Sequence, residues 1–140
     1  MRNAEDIIKD LNSYSPTNDE WNDLDSLIDE ATNYSGEEVV HALLSILERN
    51  PDHDGFGVFW SIVHALEEIG GYEAELINSI RRQPHEMSIL MLNRMLNAGI
   101  NKIDSVPIIN ILQEVADNAA LSNDIRVQAH GFIEYQENRI

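Results

Sequence analysis

The chain has 140 residues, 43 % of them apolar and 24 % charged, enough for one domain with a real core and too apolar for a disordered segment. It contains no cysteine, which excludes disulfide frameworks, thiolate metal sites and cysteine nucleophiles. Its formal net charge of −16 comes from 25 acids against 9 bases; a field of that sign repels nucleic acid and anionic membrane and speeds encounter with a basic protein.

The acids are unevenly placed: residues 1–60 carry 14 acids and 3 bases, residues 61–140 carry 11 and 6. The opening segment "MRNAEDIIKDLNSY" has no apolar core of signal-peptide length, and no later run is long enough to span a bilayer. A soluble, cytoplasmic protein is expected.

Nearly every segment follows the helical period. The first helix is expected from Asn3 to Tyr14, with Ile7, Ile8, Leu11 and Tyr14 on one stripe. After "SPTNDE", Thr17 and Glu20 have the spacing of a capping box, opening a second helix that buries Trp21, Leu24, Leu27, Ile28 and Ala31. Ser35 and Glu38 repeat that spacing before a third helix with Val39, Val40, Leu43, Leu44 and Leu47 inward, stopped at Asn50-Pro51.

A fourth helix is predicted from about Gly57 to Ile69, with Val58, Ile62, Ala65, Leu66 and Ile69 as its core face and Gly70-Gly71 as its stop. The fifth runs from Tyr72 to Arg82 over Leu76, Ile77 and Ile80. The sixth, "MSILMLNRML", is apolar nearly all round and should be central, with Gly99 closing it. Ser105 is expected to cap a seventh helix containing Ile108, Ile109, Leu112 and Val115. The eighth starts at Asn123 or Asp124 and ends near Asn138, with Ile125, Phe132 and Ile133 inward. No hairpin signal is visible. The expected fold is a single all-α domain over residues 1–140, about eight helices in antiparallel pairs.

Pairing helices three with four, five with six and seven with eight gives units near the length of helical-pair repeats. The second and last of these helices resemble the HEAT repeat: Asp54, Ala65, Ile69 and Gly70 match its pattern, and Asp124, Val127 and Ala129 match it loosely. The Arg expected after the valine is missing from the first copy, and Arg126 precedes Val127 in the second. The resemblance implies a HEAT-like α-solenoid; the alternative is a compact irregular bundle.

The residues offer little for catalysis or metal. His41, His53, His64, His85 and His130 include no i,i+4 pair and no HExxH, and "NPDHDG" lacks the twelfth-position Glu of a calcium loop. Neither GxSxG nor a glycine-rich phosphate loop occurs. His64 and Glu67, at i,i+3, are a common pair on ordinary helix faces. Arg81-Arg82 with Arg94 and Lys102 reads as structural, with cations near helix ends. No cofactor, no metal and no catalytic residue is expected.

Surface recognition remains. In "HDGFGVFWSIVHALEEIGGYE", Phe56, Trp60, His64 and Glu67 form a stripe beside the core face, with Glu68 next to it, Asp54 before it and Tyr72 past the glycines. Aromatic anchors flanked by charge have the make-up of an interface hot spot. Upstream, "NDEWNDLDSLIDE" supplies Asp19, Glu20, Asp23, Asp25, Asp29 and Glu30, with Asp19, Asp23 and Glu30 near one solvent face. Of these, Asp19, Glu20, Asp23, Asp25 and Glu30 join Asp54, Phe56, Trp60, His64, Glu67, Glu68 and Tyr72 as candidate partner-binding residues. Packing of Trp60 against a neighbouring helix is the alternative for that ring; a solvated face is the alternative for the acids.

An aromatic pair followed by Ile-Val-His-x-Leu-Glu and then a glycine-tyrosine-glutamate corner also resembles the small acidic helical immunity proteins of bacterial polymorphic-toxin and contact-dependent growth inhibition systems. Trp60, His64, Glu67 and Tyr72 carry that resemblance, which covers roughly residues 40–98. It implies a monomeric cytoplasmic protein without catalysis that binds one cognate toxin domain 1:1, covering its active site or target surface. A basic nuclease would suit the acidic charge. Two other readings are a helical-repeat adaptor and a helical-repeat enzyme using His64 or His53.

Overall fold

The computed structural model describes residues 2–16, 20–53 and 55–139, with Phe56 described by its backbone. Helix α1 (Ala4–Ser13) is opened by Asn3, whose side chain accepts from the Asp6 N–H. Helix α2 (Asn22–Ala31) starts later than the Thr17–Glu20 spacing predicts and has no side-chain cap. Glu20 precedes the helix, and Thr17 lies outside the described residues. Trp21 occupies the entry position and is buried, so burying the indole, not a hydroxyl cap, marks where this helix begins.

Helix α3 (Glu37–Arg49) likewise starts at Gly36 without a side-chain cap. Ser35 sits one residue too early to serve it, and Glu37 and Glu38 lie in its first turn, where the helix dipole favours anions. A short 3-10 turn, Gly55–Gly57, leads into α4 (Phe59–Ile69). Gly70 and Gly71, at φ 75° and 64°, then reverse the chain into α5 (Glu73–Arg82) through the left-handed region that glycine tolerates.

Helix α6 (Glu86–Asn97) follows after Pro84. Between it and α7 (Ile108–Asp117) lies a feature the sequence did not advertise. Strands β1 (Lys102–Ile103) and β2 (Val106–Pro107) pair antiparallel around Asp104 and Ser105. Both turn residues have positive φ, 47° and 73°, as a tight hairpin turn of this hand requires. Without Asn-Gly or Asp-Gly the turn is hard to foresee. Ser105 is therefore a turn residue, and Pro107 takes the entry to α7. Helix α8 (Asn123–Glu137) completes the fold.

These eight helices, among the described residues, stack as pairs. Helices α1 and α3, then α3 and α5, pack side by side; α2, α4, α6 and α8 follow one another in a second row. Within each pair, α1 meets α2, α3 meets α4, α5 meets α6 and α7 meets α8. This is the neighbour-to-neighbour contact pattern of a helical-pair stack. Helix α6 touches α3, α4, α5, α7 and α8, as its nearly uniform apolarity predicts. One continuous cluster of buried apolar side chains runs from Ile7 to Ile133. No helix of the described residues is long and apolar enough to cross a membrane.

The repeat signature survives only in part. Ala65 and Ala129 are buried, where close helix approach needs small side chains. Val127, loosely matched to the valine of the repeat, is 58 % exposed on α8. Ile125 and Ile133, expected inward, are buried together with Ala129, and Phe132 is partly buried against the core.

Each arginine joins two parts of the stack. Arg49 of α3 donates to the carbonyls of Leu11 (2.7 Å) and Tyr14 (2.8 Å), closing the end of α1. Arg82 of α5 grips Glu48 of α3 (2.8 and 3.0 Å), and Arg81 reaches Glu114 of α7 (3.1 and 3.3 Å). Arg94 of α6 binds Glu67 of α4 through two 2.8 Å bonds. Arg126 of α8 donates to the Ala116 carbonyl of α7 at 3.2 Å. Arg2 ties Asp10 of α1 to Glu30 of α2, and Arg139 holds Asn97 of α6. Exposed pairs of this kind contribute about 0–1 kcal/mol each. Their larger effect is on where charge is left over.

Candidate partner-binding surface

The Trp60 side of α4 is built within one helix row, from α2, α4 and α6. Phe59 and Ile62 turn inward and are fully buried, which leaves Trp60 outward and 38 % exposed. His64 lies one turn further along the same face, its ring 5.8 Å from the indole. Arg94 approaches from α6 and sets its guanidinium 5.8 Å from the indole centroid, a cation–π distance. Glu67 holds that guanidinium in a two-bond clasp, and the hydrogen bonds from Arg94 lower the Glu67 pKa against the opposing effect of desolvation.

Beside this group, α2 and α4 leave an open groove of about 370 Å³ lined by Asp25, Ile28, Asp29, Thr32, Ser61, His64, Ala65 and Glu68. Ser61 donates to Asp25 across it at 2.7 Å. The carboxylates of Asp29 and Glu68 have no hydrogen-bond or ion-pair partner among the described residues. His64 belongs to both the groove and the Trp60 group, so the two are continuous.

The candidate residues divide accordingly. Trp60, His64, Glu67, Glu68 and Asp25 come together on this side. Glu20 is exposed ahead of α2. Asp23 accepts the Tyr14 hydroxyl at 2.6 Å, and Glu30 is clasped by Arg2, so both serve the α1–α2 packing. Asp23 is nonetheless exposed and the Glu30 side chain is 38 % exposed, so their shared face borders α1 while staying open to solvent. Tyr72 is 8 % exposed, and burial, followed by the nearby Glu67 charge, raises its pKa. The ring closes the core beneath the α4–α5 corner and presents little area to a partner. Asp19 and Asp54 lie outside the described residues, as does the Phe56 side chain.

Two participants, Asp29 and Arg94, were visible in the sequence but not grouped with the binding residues. Asp29 lies one turn from Asp25 on α2, and that i,i+4 spacing could have grouped them. Arg94 could not have been found that way, because its pairing with Glu67 and Trp60 spans two helices distant in sequence.

The histidines show how differently one residue type is used. His85 is buried at the start of α6; its Nδ1 accepts the Met87 N–H at 2.9 Å and its Nε2 lies 2.8 Å from the His53 carbonyl. Those partners define a neutral ring with the proton on Nε2, donated to His53. Burial lowers its pKa, with the His53 bond acting the other way. The His53 Nδ1 accepts the Gly55 N–H at 2.8 Å, bracing the turn before α4. Among the described residues no three His, Asp or Glu side chains are grouped to hold a metal ion.

No protein-family model matches the chain, and no curated protein or solved structure matches it significantly. What fold and surface define is a class: an all-α protein of stacked helix pairs with an anionic exterior.

Proposed function

We propose that this chain is an immunity protein, a non-catalytic inhibitor that binds a cognate bacterial toxin domain and covers its basic active site or target surface. The observation that carries this reading is the fate of the arginines. Every one is engaged within the chain, while Asp29, Glu68 and the other unpaired acids face outward. Because acids outnumber bases 25 to 9, the carboxylates left unpaired dominate the exposed charge. Such a field raises the on-rate for a cationic partner and disfavours nucleic acid. A nuclease must carry a basic surface to hold its own substrate, so it fits the proposed target.

Co-expression with the toxin domain encoded next to this gene tests the proposal. Survival of the host and a 1:1 complex on a sizing column are the expected results. Cell death with no complex formed would end it.

A further inference from the structure

We infer that the Trp60 side of α4, together with the α2–α4 groove, is the surface that docks a guanidinium- or ammonium-bearing protein face, with Trp60 as its apolar anchor. The inference rests on the binding role proposed above and assigns the place and chemistry of the contact. An exposed indole on a free helix would sample several rotamers and lose that freedom on binding. Here His64 lies against it from the same helix and Arg94 from the next, so the ring is already positioned. Preorganised aromatic side chains are the kind that anchor interfaces.

Glu67 is the positioning residue of this arrangement. It touches no partner in the scheme; it fixes Arg94, and Arg94 fixes the indole. The occupant follows from charge. Asp25, Asp29 and Glu68 surround a groove wide enough for an arginine or lysine end, and Asp29 and Glu68 have no internal cation to neutralise them. A second copy of a chain carrying −16 would bring like charge to this face. A cationic protein surface with an apolar recess beside its arginines or lysines satisfies both the carboxylates and the indole.

A second acidic hollow provides a charge-matched control. Glu37, Glu38 and Glu75, with His41, line a cavity of about 280 Å³ on the opposite row of helices. Deca-arginine, titrated into the intact protein and followed by NMR, should shift the Trp60 indole signal and the amides of the α2–α4 groove first. The triple variant Asp25→Asn, Asp29→Asn, Glu68→Gln should weaken that binding at least about tenfold, and the triple Glu37→Gln, Glu38→Gln, Glu75→Gln about twofold at most. Equal losses from the two triples, or first shifts at Glu37, Glu38 and Glu75, would overturn the assignment.

Glu67→Gln should lower the fluorescence anisotropy of Trp60, measured with Trp21 replaced by Phe, whereas unchanged anisotropy would remove Glu67 from its positioning role. In the toxin complex, Trp60→Ala should weaken binding at least about tenfold, and undiminished binding would overturn the anchor. Failure of the unaltered chain to protect cells would sink the immunity proposal alone, because the deca-arginine map decides the docking surface without it.

Discussion

Helix α4 opens with two adjacent aromatic residues that belong to different worlds. Phe59 is fully buried and stands edge-on to Trp21, with centroids 5.0 Å apart, and to His85 at 5.3 Å. His53 and Tyr14 complete this inner group around the Trp21 indole, at 5.0 and 5.8 Å. Trp60, one residue on, joins an outer group with His64 and Arg94. The inner group is held by exclusion of water, the outer by a salt bridge that works in water. Their perturbations should therefore differ: the inner group should govern stability, the outer one binding.

The comparison is broken most directly at Phe59. Replacing this fully buried ring with alanine removes its transfer energy and leaves a cavity between α4, α2 and the start of α6. Phe59→Ala should cost about 3–5 kcal/mol in urea unfolding. A loss below about 1 kcal/mol would show that the inner rings do not form the core described. Next in size is Gly55, which has φ 66° and where an added Cβ would lie 2.5 Å from Cδ1 of Phe59. Gly55→Ala combines backbone strain with overpacking against a ring that has no room to yield. About 2–4 kcal/mol of destabilisation is expected, and a neutral result would mean that the turn can open.

His85 sharpens the same contrast through pH. Protonation would turn its Nδ1 from the acceptor of the Met87 N–H into a donor, in a buried place. The folded pKa lies below the unfolded value of 6.5, so between the two only the unfolded chain takes up the proton. The stability due to neutral His85 is complete above about pH 6.5 and is lost as pH falls through the folded value. His85→Asn keeps a capping side chain for α6 but loses the His53 bond. It should cost about 1–2 kcal/mol at pH 7.5. The deficit should shrink toward pH 5, as the native protein loses what the variant already lacks. Parallel pH profiles for the two proteins would contradict this account.

The core around the inner group was more legible in the sequence than the group itself. The helical period places Trp21, Val58, Ile62 and Leu66 inward, and all four are buried, but it does not single out Phe59 or its contacts with Trp21 and His85, because these join segments distant in sequence. Period and proline or glycine stops also locate every helix, because burial and chain reversal are local demands. Capping was less legible: Thr17–Glu20, Ser35 and Ser105 have suitable spacing or chemistry, but a cap forms only where the incoming chain has the right direction. At α2 the burial of Trp21 decided that direction, and before α7 a hairpin did. The outer group was half legible. The stripe of Trp60, His64 and Glu67 is visible at i, i+4 and i+7, but its polarity depends on Arg94 from another helix. That one pairing turns Glu67 inward to its own chain and leaves Trp60 as the open residue.

Trp60→Ala should therefore be the mildest of these changes when stability is measured. The substitution removes a ring that is 38 % exposed and a cation–π contact, but it leaves the two bonds between Arg94 and Glu67 in place. A cost of about 1 kcal/mol or less is expected from thermal unfolding. Trp21→Ala, by contrast, should approach the Phe59→Ala loss, because Trp21 is only 2 % exposed. Acrylamide quenching reads the same difference without unfolding the protein. With Trp21 replaced by Phe, the remaining emission should be strongly quenched; with Trp60 replaced, it should be blue-shifted and protected. Two tryptophans that quench alike, or a Trp60→Ala variant as unstable as Trp21→Ala, would mean that the indole is part of the core after all. In that event the α2–α4 groove would lose the anchor that makes it a docking surface.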